Sequence, residues 1–154
     1  MEDFIALYTD GSASGNPGPG GIGVVLIYNA RRKELSEGFR YTTNNRMELR
    51  AVITGITSIR NKNIPVKIYS DSRYVVEAIN QKWVQGWKNK AYKGKANADL
   101  WEAFLDIYNP QRHEFIWVKG HASNTENNRC DELAVYASKN GPWREDEGYV
   151  GTQN

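Results

Sequence analysis

The chain has 154 residues, 40% of them hydrophobic and 25% charged, with a formal net charge of +2, a size that fits one domain with a real core. A single cysteine, Cys130, excludes an internal disulfide, and with only His113 and His121 beside it a closed zinc site is not expected. The longest apolar run, Val24 to Tyr28, is far too short for a signal or a membrane span, so a soluble cytoplasmic protein with no membrane partner is expected, and it is expected to be a monomer.

Phe4 to Asp10 is apolar on both faces, as in a strand buried mid-sheet, and it ends on a carboxylate. Asp10-Gly11 is also an ordinary turn dipeptide. Gly11 to Gly21 holds five glycines and two prolines, which predicts an irregular loop. Gly18, Gly20 and Gly23 satisfy a G-x-G-x-x-G pattern. They lead into Val24-Val25-Leu26-Ile27, a strand rather than a helix N-terminus, so a dinucleotide site is excluded. Gly20 to Tyr28 and Arg31 to Tyr41 read as antiparallel strands across a turn at Asn29-Ala30.

Asn45 to Ile59 reads as a helix with an apolar stripe at Met47, Ala51, Val52, Ile56 and Ile59, capped by Asn44 or Asn45. Glu48 is either the glutamate of a capping box with Asn45 or an inward carboxylate in line with Val52 and Ile56. Val66 to Ser70 is a second short apolar strand ending on an acid, Asp71, before a helix from Ser72 to Ile79. Asp71 could be only an N-cap. If the two acid-tipped strands are parallel neighbours, as an intervening helix implies, both acids stand at the same end of the sheet.

Lys82 to Lys95 contains five lysines and no acid, a basic island on an otherwise slightly acidic chain. Its lysines alternate with Trp83, Trp87 and Tyr92, which suits phosphate neutralisation plus packing on sugars or bases. A solvated loop with its tryptophans turned inward is the alternative, and Gly86 and Gly94 argue against one long amphipathic helix. Trp83 could belong to the core with Trp87 facing the substrate, an assignment the sequence leaves open. A helix from Asp99 to about Tyr108 stops before Pro110, and a strand from Glu114 to Lys119 leads into Gly120-His121. The last helix, about Asn127 to Asn140, buries Cys130, Leu133, Ala134 and Ala137 and ends at Gly141-Pro142. Asp131 falls in its first turn, as a dipole-favoured acid or as another inward carboxylate. The domain is expected to cover residues 1–142, with 143–154 a loosely held polar tail.

Asp10, Glu48, Asp71 and Asp131 are thus acids at the ends of elements, each with a structural explanation of its own. One shared cause accounts for all of them. Like charges about 4 Å apart repel by roughly 4 kcal/mol at an effective dielectric of 20, so a cluster demands protons or cations. Oxygen ligands without cysteine point to Mg2+, with Mn2+ as an alternative. Two such ions about 4 Å apart suit phosphodiester hydrolysis.

The runs Tyr8-Thr9-Asp10-Gly11-Ser12, Gly15-Asn16-Pro17-Gly18-Pro19-Gly20-Gly21, Thr42-Thr43-Asn44-Asn45-Arg46-Met47-Glu48-Leu49, Ser70-Asp71-Ser72, Trp117-Val118-Lys119-Gly120-His121 and Asn128-Arg129-Cys130-Asp131-Glu132-Leu133-Ala134 resemble bacterial ribonuclease HI, in order, from Tyr8 to about Tyr149. The resemblance implies an α/β ribonuclease H-like fold, with a five-stranded mixed sheet in the order 3-2-1-4-5 and helices on both faces. It also implies cleavage of the RNA strand of RNA–DNA hybrids with Mg2+, two ions being held when substrate is bound. By position, Asp10, Glu48, Asp71 and Asp131 match the family's metal-binding carboxylates, and His121 its loop histidine, suited to proton transfer. The resemblance further places Gly11, Asn44 and Glu48 near RNA 2′-hydroxyls, and Asn16, Thr43 and Asn97 on a DNA phosphate. From the residues alone, Asn44 and Asn97 could equally be helix caps. The island, with Trp83, Trp87, Lys88, Lys90 and Lys93, resembles the family's basic protrusion, which grips the DNA strand. The chain departs from the bacterial pattern at Arg73 and Glu77, where glutamines are usual near the RNA strand, and at Ala13, where a cysteine is usual.

Two other functions fit parts of this pattern: a DNA nuclease of the same fold, of the resolvase or integrase kind, and a non-catalytic hybrid-binding module. The Asn44 to Glu48 run with the basic island argues against the first, and the intact acid set against the second.

Overall fold

The computed structural model describes residues 3–120 and 123–150. The chain runs β1 (Ile5–Ala13), β2 (Gly18–Tyr28), β3 (Arg31–Thr42), α1 (Asn44–Thr57), β4 (Val66–Ser70), α2 (Arg73–Asn80), α3 (Trp83–Asn89), α4 (Ala98–Ile107), β5 (His113–Trp117), α5 (Thr125–Asn140) and β6 (Trp143–Arg144). The strands form one sheet in the order β5-β4-β1-β2-β3-β6. β1 to β3 are an antiparallel meander, while β4 joins β1 and β5 joins β4 in parallel. The expected 3-2-1-4-5 order is therefore present, with a sixth, two-residue strand added outside β3.

Neighbouring residues of β2 show how the sheet is covered. Val24 points to Gly55 of α1, whereas a Cβ on Gly23 would collide with the Cys130 carbonyl of α5. Successive side chains of a strand leave opposite faces, so α1 and α5 lie on opposite sides. The main apolar core fills the α1 side, joining Leu7, Val24, Ile68, Val52, Val75 and Trp101. Leu7 is fully buried there, and Leu7→Ala costs about 2–5 kcal/mol.

α5 approaches the other face closely because Gly23 has no side chain to hold it off. The stretch from Gly11 to Gly21, expected to be irregular throughout, is largely strand. β1 continues to Ala13 and β2 begins at Gly18, so only the residues between them form the connection. Glycine here is a packing residue inside a strand as well as a turn residue.

The helix caps also differ from expectation. Thr43, rather than Asn44 or Asn45, caps α1, its side chain accepting from the Arg46 N–H. Ser72, rather than Asp71, caps α2 by accepting from the Val75 N–H. Asn124 caps α5, whose first helical residue is Thr125, and this places Asp131 in the second turn. A short helix, α3, forms inside the basic island with Gly86 in its exposed middle.

The segment after α5 is not a loose tail over its described residues. Trp143 and Arg144 pair in parallel with β3, and Asp146 enters a polar pocket beside α1. There Arg46, fully buried, donates from Nε to Asp146 Oδ2 at 2.6 Å and from Nη2 to Asp99 at 2.7 Å. Arg50 and Thr42 also donate to Asp146, at 2.5 and 2.6 Å. Burial alone would raise the Asp146 carboxyl, but hydrogen bonds from Arg46, Thr42 and Arg50 outweigh it and hold it below the usual carboxylate range.

Candidate active site

β1 and β4 are parallel neighbours in register at Tyr8 and Tyr69, whose rings stack at 4.6 Å. Two residues further along each strand stand Asp10 and Asp71, so both chains deliver an acid to the same edge. α1 supplies the third acid. A Cβ on Gly11 would strike the backbone of Met47 and Glu48, so only glycine lets this turn of α1 lie directly on β1. The Gly11 N–H then donates to Asp10 Oδ1 at 2.9 Å and to Glu48 Oε1 at 3.0 Å. Glu48 is consequently not a capping-box residue; it faces the strand.

One carboxylate oxygen from each of Asp10, Glu48 and Asp71 lies within 4.8 Å of the others. Burial, then repulsion from Asp71, pushes Asp10 up to about 8. Burial, then the charges of Asp10 and Asp71, raise Glu48 well above the carboxylate range. Asp71 Oδ1 is buried without a hydrogen-bond partner. A crowded acid cluster with an orphaned oxygen fits a divalent cation, and its all-oxygen donor set fits Mg2+ or Mn2+ better than zinc.

Asp131 stands apart from this trio. It is half-buried on α5 and adds to the repulsion on Asp10, but its oxygens lie outside the 4.8 Å group. His121 lies outside the described residues; Gly120 before it packs against the Asp71 carboxylate, with space too small for a Cβ.

The residues expected to meet nucleic acid divide into two sets. Asn16, Thr43 and Asn44 meet at the start of α1: the Asn44 N–H donates to Asn16 Oδ1 at 2.9 Å, and Asn44 Oδ1 accepts from the Ala13 N–H at 2.6 Å. Thr43 is buried as well, its hydroxyl engaged in the α1 cap, and Asn97 is fully buried. Its amide accepts from Arg46 and donates to the Tyr74 hydroxyl, so both ends are engaged inside the protein, and it makes no side-chain cap on α4. Arg46 thereby ties Asn97 to Thr43, which caps the same helix turn.

The two tryptophans of the basic protrusion stand in different environments. Trp83 is 47% exposed. Trp87 is half-buried and sets its edge against Trp101 at 5.8 Å, with Lys95 over its ring. Lys90 and Lys93 are exposed, while Lys88 pairs with Glu102 at 3.2 Å.

Sequence reasoning missed Arg46, Asp146, Tyr74 and Trp117. Arg46 carried a usable signal, since an arginine beside Met47 on a buried helix face requires acids, and Glu145-Asp146-Glu147 offered them. Nothing in local sequence marked Tyr74 as the acceptor for both Asn97 and Trp101.

The mixed sheet with three acids converging at the β1–β4 edge defines a class: an α/β protein whose acid cluster fits a divalent cation. A family model described as RNase H matches residues 2–139. Ribonuclease H of Rippkaea orientalis is 51% identical over 150 residues, covering 94% of this chain and 91% of that protein. Ribonuclease HI of Synechocystis sp. is 45% identical over 151 residues, covering 94% of each. Among solved structures, LC9-RNase H1, a type 1 RNase H with the type 2 active-site motif, superposes with a TM-score of 0.78 at 33% identity, covering 90% of this chain and 74% of that one. LC11-RNase H1, solved in complex with an RNA/DNA hybrid, shares the fold at a TM-score of 0.62 and 24% identity, over 88% of this chain and 96% of that one. The chain belongs to the RNase H family and is of the bacterial ribonuclease HI type.

Proposed function

We propose that Asp10, Glu48 and Asp71, with Asp131 beside them, carry the reaction of a ribonuclease H. It hydrolyses the RNA strand of an RNA–DNA hybrid, leaving 3′-hydroxyl and 5′-phosphate ends. The observation that carries this reading is the single Gly11 N–H shared by Asp10 and Glu48 with Asp71 in reach. Such an arrangement crowds negative charge where a polyanion must approach, which is workable only with cations present.

Asp10, Glu48 and Asp71 would hold Mg2+, with Asp131 completing the site for a second ion when substrate is bound. Divalent ions supply Lewis acidity toward the phosphodiester and the attacking water. The protein's own contribution is positioning: β1, β4 and α1 fix the carboxylates, and the missing side chain at Gly11, expected beside the RNA, instead faces α1 and lets that helix seat Glu48 next to Asp10. His121, next in the chain after Gly120, takes the role of proton transfer to or from the water and the leaving oxygen. Asn16 and Asn44 present polar groups to the sugar-phosphate backbones, with the buried Thr43 and Asn97 acting through the α1 cap and Arg46 rather than by touching phosphate. Trp83, Trp87, Lys90 and Lys93 offer the DNA strand a basic and aromatic surface.

Specificity is tested by incubating matched end-labelled hybrid, double-stranded RNA and double-stranded DNA side by side with Mg2+. Cutting confined to the RNA of the hybrid is expected. Comparable cutting of double-stranded DNA would favour the resolvase-like alternative.

A further inference from the structure

We infer that Trp117 is a positioning residue for Asp71, acting through the Asp71 backbone; this rests on the proposed role of Asp71 as a metal-holding acid. Asp71 lies just past the last ladder pair of β4 and β5, Ser70 with Trp117. Beyond that pair the sheet no longer holds the chain, which turns at once into α2. The carboxylate cannot hold itself in place, because its Oδ1 is buried without a hydrogen-bond partner. Its position therefore depends on the peptide unit that carries it.

That peptide is tied down on both sides. On the α2 side the Ser72 N–H donates to Ser70 Oγ at 3.1 Å, and Ser72 Oγ accepts from the Val75 N–H at 3.2 Å. On the β5 side the Trp117 indole N–H donates to the Asp71 carbonyl oxygen at 3.1 Å. This is a side chain reaching across from one strand to the backbone of the acid on the next. Trp117 is 38% exposed, so burial alone does not fix its ring. The Arg73 guanidinium lies over the ring at 4.3 Å from its centre, and Glu77 pairs with that guanidinium at 3.4 Å. Arg73 thus rests on the outer face of the indole and keeps its N–H aimed inward. Trp117 also opens the run that ends at Gly120, which packs on the same carboxylate. Its removal loosens Asp71 from two directions.

Outer groups that orient a ligand are often worth about tenfold or more in metal affinity, and small misplacements at a reacting centre cost rate rather than binding. The test is Trp117→Phe, which keeps a ring under Arg73 and deletes only the N–H. Mg2+ binding to the protein alone is measured by calorimetry, and kcat and KM on hybrid are measured separately. We expect Mg2+ affinity about tenfold weaker, kcat roughly tenfold lower and KM within about twofold of wild type. Arg73→Gln shifts the same quantities in the same direction by about threefold, and Arg73→Lys restores them by returning a cation to the ring. If Trp117→Phe does not fold, the Arg73 pair carries the test. Unchanged Mg2+ affinity and kcat overturn the inference, as does an effect confined to KM. Asp71→Asn is run in parallel: if it still cleaves, the reading of the site itself fails, whereas an inactive Asp71→Asn with a wild-type-like Trp117→Phe removes only the role of Trp117.

Discussion

Asp10 and Glu48, 38 residues apart in the sequence, accept hydrogen bonds from the same backbone N–H, that of Gly11, at 2.9 and 3.0 Å. One donor shared by two carboxylates cannot neutralise both. The remaining charge is met by a proton or by a metal ion, and which of the two is present sets the stability of the fold.

Without divalent ions, Asp10 carries a folded-state pKa of about 8 against an ordinary value of 3.8. A raised carboxyl favours the folded state only below the unfolded value and loses that advantage as pH rises through the folded value. The melting temperature of wild type relative to Asp10→Asn in chelator should therefore fall between pH 4 and pH 8. At pH 8, Mg2+ should restore it, and Asp10→Asn in chelator should melt several degrees higher than wild type, since about 1 kcal/mol moves a domain of this size by a few degrees. Thermal melts at several pH values, with and without Mg2+, check this. Because the buried His113, held down at about 4, adds stability as pH rises over part of this range, the decisive quantity is wild type relative to Asp10→Asn, and a difference that does not fall as pH rises in chelator would contradict the crowding of these acids.

The opposite sign holds at Asp146. Its carboxyl is held below the usual range, so its stabilisation is present above the unfolded pKa and disappears as pH falls through the folded one. Both Asp146 and its partner Arg46 are fully buried as side chains. Asp146→Asn leaves Arg46 short of an anion, and we expect a loss of about 3 kcal/mol or more in urea unfolding at pH 7. A loss below about 1 kcal/mol would mean the pair behaves like a surface ion pair.

The basic protrusion should act through phosphates. Replacing Lys90 and Lys93 by Ala is expected to weaken hybrid binding and to flatten the salt dependence of its logarithm, by roughly 0.7–0.9 for each phosphate no longer neutralised. Lys88→Ala should change the slope less, because Glu102 already neutralises part of its charge. Binding titrations across a salt series decide this; equal slopes for wild type and the double variant would place the DNA-binding surface elsewhere.

The fold was legible wherever periodicity and chain punctuation agreed. Val66–Ser70 coincides with β4, and the meander and the helix after it were placed within a few residues. The acids at Asp10 and Asp71 were readable because each follows an apolar strand run and the intervening helix implied parallel pairing, although β1 in fact continues past Asp10 to Ala13. Three kinds of feature were hidden. Gly21 looked like loop composition because the neighbour that requires its small size, Ala134, is distant in sequence. The docking of Asp146 depends on Arg46 and Arg50, which local polarity alone does not reveal. Trp87 turns to the core and Trp83 to solvent because Trp101 stands beside one and not the other. In each case the deciding partner comes from another part of the chain, and single-sequence patterns report the near neighbours only.

The central claim is that the three converging acids serve chemistry through a cation and not the grip on nucleic acid. Its most direct test is Asp71→Asn, assayed on an end-labelled RNA–DNA hybrid in saturating Mg2+, with binding measured on the same preparation. We expect the affinity for hybrid to stay within about threefold of wild type while kcat falls by roughly a thousandfold or more, the scale of losing a charge-stabilising group at a reacting centre. Cleavage by Asp71→Asn near the wild-type rate, or full wild-type activity in excess chelator, would contradict it.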